Sequence, residues 1–163
     1  MQLNQLMYRL PKEIKLFLGI FIIVLSIGFY TGLLFVNETS SLSSTGIQQN
    51  YLGNEGDEAA AEMKFKKSER EMLSIVHSHI LSMSMIFFLL GVVLAITDIS
   101  KPLKMFLMIE PFFSVLATFG GIYFLWKGIF WMKYLVLFSG ALMTLSFTLS
   151  MSIILIKLAR SKK

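Results

Sequence analysis

The feature that most constrains this chain is a set of four long apolar runs, nearly free of charge: Ile14 to Val36, Met72 to Thr97, Leu103 to Trp126 and Phe130 to Ile156. A helix rises about 1.5 Å per residue, so a run of roughly 20 residues crosses a hydrocarbon core of about 30 Å. Each run meets that length. The backbone polar groups of a lipid-embedded segment have no water to bond, which selects helices over irregular structure. The expected fold is all-α: an integral membrane four-helix bundle, up-down-up-down, with one long outer loop between the first two spans. Residues 1–13 then form a cytoplasmic N-terminus, residues 37–71 the periplasmic loop, and residues 157–163 a cytoplasmic tail.

Composition agrees with that reading. Of the 163 residues 55% are hydrophobic, and the charges fall in clusters between the apolar runs. The net charge of +5 does not point to nucleic acid, because the basic residues stand at segment ends, where they meet lipid headgroups. The chain has no cysteine, so thiolate metal sites, iron–sulfur clusters and disulfides are excluded. Arg9, Lys12 and Lys15 before the first run give it the look of a secretion signal, but the apolar stretch is too long and no small-residue cleavage site follows. A retained anchor fits better.

Lysine and arginine counts set the expected orientation. The two ends and the turn between the second and third spans hold nine, and the other side holds six. Both termini are therefore expected on the cytoplasmic side. Trp126 and Trp131 would then sit at the outer headgroup level.

The loop from Asn37 to Glu71 is rich in Ser, Thr, Gly and Asn as far as Gly56, which predicts irregular structure with turns at Thr45-Gly46 and Gly53-Asn54. From Asp57 the order of acids, alanines and then bases suits a short helix, or an outward extension of the second span. Ser68 and Glu71 have capping-box spacing. The loop carries seven acids against four bases, most simply a solvated face. GNEGDE does not supply a calcium-loop pattern.

Two features bear on chemistry. The first is HSHILSMSM, His77 to Met85, at the start of the second span. His77 and His79 are two apart and point to different sides of a helix, whereas His79 and Met83 share a face. A haem b would take one histidine with Met143 or Met151 of the fourth span, or be shared across a dimer, and soft methionine sulfur alongside His79 would suit Cu(I). The plainer alternative is a polar cluster near the outer interface, combining the histidines with Glu55, Glu69 or Glu71. The second feature is Glu110 before Pro111, about two turns inside the third span. An embedded acid is costly unless paired or hydrated and is a functional candidate for that reason. A structural ion pair with Lys15 or Lys157 is the competing account. Pro111 removes one helix hydrogen bond and introduces a kink point. Small residues at Gly28, Gly32, Gly120, Gly121 and along Ser139, Gly140, Ser146 and Ser150 mark expected helix seams.

The runs GIQQNYLGNE, EMKFKKSEREML and VHSHILSMSMIFFLLG resemble the core of a family of small bacterial inner-membrane proteins with four spans and a GNE, MKFxKSxxE, HxH signature. That resemblance implies that Asn54, Glu55, Lys64, Ser68, Glu71, His77 and His79 form one family site on the loop side. It implies no reaction. No nucleotide-binding, metalloprotease or serine-hydrolase motif is present, which leans away from an enzyme. Three readings follow: a non-enzymatic accessory factor or subunit of a membrane complex or homodimer, a haem- or copper-binding redox protein using His77 or His79, and a proton or ion conductor using Glu110. A Soret band from the purified protein supports the second, and its absence together with no bound copper removes it.

Overall fold

The computed structural model describes residues 6–57, 60 and 62–160. Its elements are helices only: α1 (Leu6–Arg9), α2 (Lys12–Ser40), α3 (Ser44–Leu52), α4 (Glu69–Ala95), α5 (Lys101–Trp126) and α6 (Met132–Ala159). Helices α2, α4, α5 and α6 are each long and apolar enough to cross a membrane. They form the bundle that the four apolar runs predict.

Local chemistry explains where the helices begin and end. The capping box forms at α4, where the Ser68 hydroxyl accepts from the Glu71 N–H at 3.3 Å and Glu71 Oε2 accepts from the Ser68 N–H at 2.7 Å. Helix α5 opens with Pro102 in its first turn, where a missing N–H costs nothing. It closes at Gly128, whose φ of +102° lets the N–H of Ile129 reach back to Phe124 O at 3.0 Å. Pro111 lies buried inside α5, and the helix continues through it.

Packing is strongest along α5, which lies against α6 on one side and α4 on the other. Phe147 on α6 is fully buried and joins three helices: it stacks on Phe29 of α2 at 3.8 Å between centroids and meets Phe87 of α4 edge-on at 6.2 Å. Without a hydrophobic driving force between helices in lipid, such close van der Waals contact and interhelical hydrogen bonds hold the bundle. One of those bonds joins the Tyr30 hydroxyl to Thr148 Oγ1 at 2.9 Å.

The expected glycine seams divide. A Cβ on Gly121 would come within 2.9 Å of Val136, so that glycine does permit close approach of α5 and α6. Gly28, Gly32, Gly120 and Gly140 face no neighbouring side chain, and Gly28 and Gly32 lie on the outward side of α2.

At the end of the bundle where α1 packs and α6 ends, the N–H of Met7 donates to Ile96 O at 3.2 Å and the Lys157 ammonium lies 6.0 Å from the centroid of the Tyr8 ring. Lys104 folds back there to donate to Ala95 O at 3.1 Å and Thr97 O at 2.6 Å, satisfying carbonyls left open where α4 stops.

The loop at the opposite end differs from its expected form. Ser44–Leu52 is a helix rather than irregular chain, because Ser43 caps it by accepting from the Gly46 N–H at 3.0 Å and Ile47 is buried beneath it. Thr45-Gly46 is therefore helical, not a turn. Gly46 instead allows close approach to the Ser40 carbonyl, where any Cβ would overlap. The segment after Asp57 is not helical at any described residue before Glu69. Asn54 ties this segment back, its side chain donating to Glu62 O at 2.9 Å and accepting from the Lys64 N–H at 2.6 Å, and residues 58, 59 and 61 of the expected helix lie outside the described residues.

Candidate functional site

The seam between α5 and α6 carries the bundle's most unusual chemistry. Glu110, Ser114 and Thr118 recur every four residues on α5 and so share one face. Opposite them on the antiparallel α6 stand Ser146 and Ser139. Ser114 Oγ donates to Glu110 Oε1, and Ser146 Oγ donates to Glu110 Oε2, so each carboxylate oxygen is held by one hydroxyl. Eight residues along α5, Thr118 Oγ1 pairs with Ser139 Oγ at 2.7 Å. Ser114, Thr118, Ser139 and Ser146 are all buried, whereas Glu110 is half-buried.

The expected ion pair to Glu110 is not made. Lys15 Nζ donates instead to the Tyr8 carbonyl at 3.1 Å, and Lys157 lies against the Tyr8 ring. Among the described residues the ion pairs are Lys64 with Glu62 at 3.9 Å and Lys127 with Glu69 at 3.1 Å, both outside this seam. Glu110 is among the residues lining a groove of about 530 Å³ between α5 and α6, whose walls include Phe106, Ile109, Phe113, Phe138 and Leu142.

The residues of the histidine stretch lie elsewhere. His77 and His79 are both exposed on α4. His79 Nδ1 bonds the Ile75 carbonyl at 2.8 Å, and its ring leans on Phe119 of α5 at 4.8 Å. A metal at His79 would therefore use Nε2. Met83 packs against the core, and Met143 is buried on α6. Among the described residues no three His, Asp or Glu side chains converge on a point that holds a metal.

Glu71 and Glu69 of the loop have separate partners. Glu71 closes the capping box and Glu69 meets Lys127, while Glu55 is exposed in the turn after Asn54. Asn54, Lys64 and Ser68 shape the loop itself. Lys64 reaches Thr39 O at 2.8 Å, and Lys133 reaches Gln48 Oε1 at 2.8 Å, fastening the loop to α2 and α6. Burial pushes the Tyr51 phenol on α3 up from its ordinary value, against a weaker pull from the Asn50 side chain.

The hydroxyl partners of Glu110 were the part of this site that sequence reasoning missed. Their signal was the four-residue spacing of Glu110, Ser114 and Thr118, read together with the serines of the facing span.

Four apolar helices around a seam with an embedded acid define a multi-pass helical membrane protein. The chain belongs to the Aq_1264_TM family, whose model, a transmembrane helical domain, matches residues 41–163. That match takes in α3 to α6 and both sides of the Glu110 seam, and it begins after α2. No curated protein and no solved structure matches the chain.

Proposed function

We propose that this protein handles a proton or another cation within the membrane, with Glu110 as the group that takes it up and gives it back. One observation carries the reading: hydroxyls from two helices position the Glu110 carboxylate at the edge of a groove, with no lysine or arginine in ion-pair contact among the described residues. Hydroxyl donors fix the carboxylate without neutralising it. A charge there is expensive to maintain, so a proton or an exchangeable cation balances it in part of the working cycle. The Thr118–Ser139 pair extends the polar seam toward the loop end of the bundle. The test is proton flux in liposomes under an imposed gradient. Glu110→Gln abolishes flux on this reading, and unchanged flux refutes it.

A second reading, an accessory subunit of a larger assembly, is favoured by α2. Leu16, Phe17, Ile20, Val24 and Ile27 leave one side of it outward, and Gly28 and Gly32 lie on that outward side. Affinity purification in mild detergent that returns this chain alone counts against it. From the lysine and arginine bias we also infer that both termini are cytoplasmic, and from the resemblance of the loop and second span to small bacterial inner-membrane proteins that the membrane is a bacterial inner one.

A further inference from the structure

We propose that the groove beside Glu110 is a binding site for a lipophilic organic cation, an amine or quaternary ion with its own apolar body, entering from the bilayer. The inference rests on the reading of Glu110 as an exchangeable carboxylate and names what it exchanges with.

The volume of about 530 Å³ lies within the range of roughly 300–1,000 Å³ typical of small-ligand sites. The walls are aromatic and aliphatic around one acid. Phe113 is 69% exposed and Phe138 is 67% exposed, so the groove opens sideways, between helices, rather than along the bundle axis. A ligand arriving by that route comes through lipid.

The chemistry of the lining selects among cations. A hydrated inorganic ion must exchange its water shell for oxygen ligands, six to eight for Ca²⁺. Besides the Glu110 carboxylate, the groove's lining side chains offer only the hydroxyls of Ser114 and Ser139. Even if both hydroxyl oxygens and both carboxylate oxygens ligated, these side chains would supply at most four oxygens, short of that number. An organic cation needs no such shell. Its charge is met by one carboxylate and by the faces of phenyl rings, and its body is met by apolar walls.

Glu110 follows Lys101, the first residue of α5, by nine positions, about 13.5 Å along the helix, so a ligand with an apolar body reaches it more readily than the amine of a phospholipid whose headgroup stays level with the helix end.

The experiment is equilibrium dialysis of the full-length protein in detergent with tetraphenylphosphonium as the probe. The expected result is saturable binding at one probe per chain. Glu110→Gln, which keeps a polar group for Ser114 and Ser146, is expected to weaken it by at least about tenfold, and Glu110→Asp by less. Phe113→Ala with Phe138→Ala is expected to weaken it by about three- to tenfold through lost ring faces and walls. Helicity and elution volume identify any variant that fails to fold, and the wild-type saturation then stands by itself as the test. Partition without saturation, or equal binding by folded Glu110→Gln, overturns the proposal. Glu110-dependent proton flux without probe binding overturns this inference alone and leaves the proton reading in place. Saturable, Glu110-dependent binding without flux does the reverse.

Discussion

The indole N–H of Trp126, the last residue of α5, donates to the backbone carbonyl of Lys67 at 2.8 Å. The bond joins residues 59 apart in sequence and ties the loop to the bundle just before α4 begins. Lysines bracket the same ring: Lys66 Nζ lies 5.2 Å and Lys127 Nζ 4.6 Å from it. Trp126 thus acts as an anchor for the folded loop, a role beyond that of an interfacial aromatic.

Trp126→Phe keeps an aromatic ring but removes the donor and weakens the cation contacts. The Lys67 carbonyl loses its partner, and the expected destabilisation is about 1–3 kcal/mol. Thermal unfolding in detergent measures it. Faster hydrogen exchange at 64–68 should accompany the loss, and exchange unchanged from wild type would show that the loop is held by other contacts.

Gly53→Ala tests the same loop from its far side. Gly53 has φ +82°, and an added Cβ would approach Lys64 O and Lys66 N at 2.8 Å each, so both conformation and space oppose a side chain. Left-handed strain alone costs on the order of 1–3 kcal/mol. The expected outcome is rapid tryptic cleavage at Lys64, Lys66 and Lys67 in the variant under conditions where the wild type resists.

The contrast between spans and loop shows what the sequence made legible. Hydrophobic runs of membrane length can do little but form helices, so α2, α4, α5 and α6 follow from apolar residues alone. The loop does not, because its outcome depends on tertiary bonds. Ser44–Leu52 is polar throughout apart from Ile47, Tyr51 and Leu52, and it becomes a helix because Ser43 caps it and the bundle buries Ile47. Between Asp57 and Ser68 the described residues are not helical, and Glu62 and Lys64 are held by hydrogen bonds to Asn54, which lies in a different part of the loop. Glu110 was legible as an embedded acid, but its partners were not, since which face of α6 meets α5 is a matter of packing rather than of periodicity.

The pair between Lys127 and Glu69 gives a pH dependence with a definite sign. The hydrogen bond to Glu69 is the main cause that holds the Lys127 ammonium above its ordinary value, against a smaller effect of desolvation. A group whose folded pKa is raised contributes stability that is full below the ordinary lysine value, about 10.4, and is lost as pH rises through the folded value. The pair is exposed, so the effect is small. Melting temperature measured between neutral and strongly alkaline pH should fall more steeply above the lysine range in wild type than in Lys127→Gln. Parallel curves would remove the pair from the account.

Ser146→Ala probes how the embedded carboxylate is held. The hydroxyl of Ser146 comes from α6 and that of Ser114 from α5, so only the former crosses between helices. Removing it leaves one carboxylate oxygen of Glu110 without its donor and costs about 1.5–3 kcal/mol if the carboxylate is charged. In a Glu110→Leu background the same substitution removes a hydroxyl that no longer serves an anion, and its cost should drop below about 1 kcal/mol. The difference between the two costs is the coupling of Ser146 to Glu110. Chemical unfolding of the four proteins in mixed micelles measures it. A coupling near zero would mean that Glu110 gains nothing from the Ser146 hydroxyl, leaving the Thr118–Ser139 pair and packing to join α5 and α6.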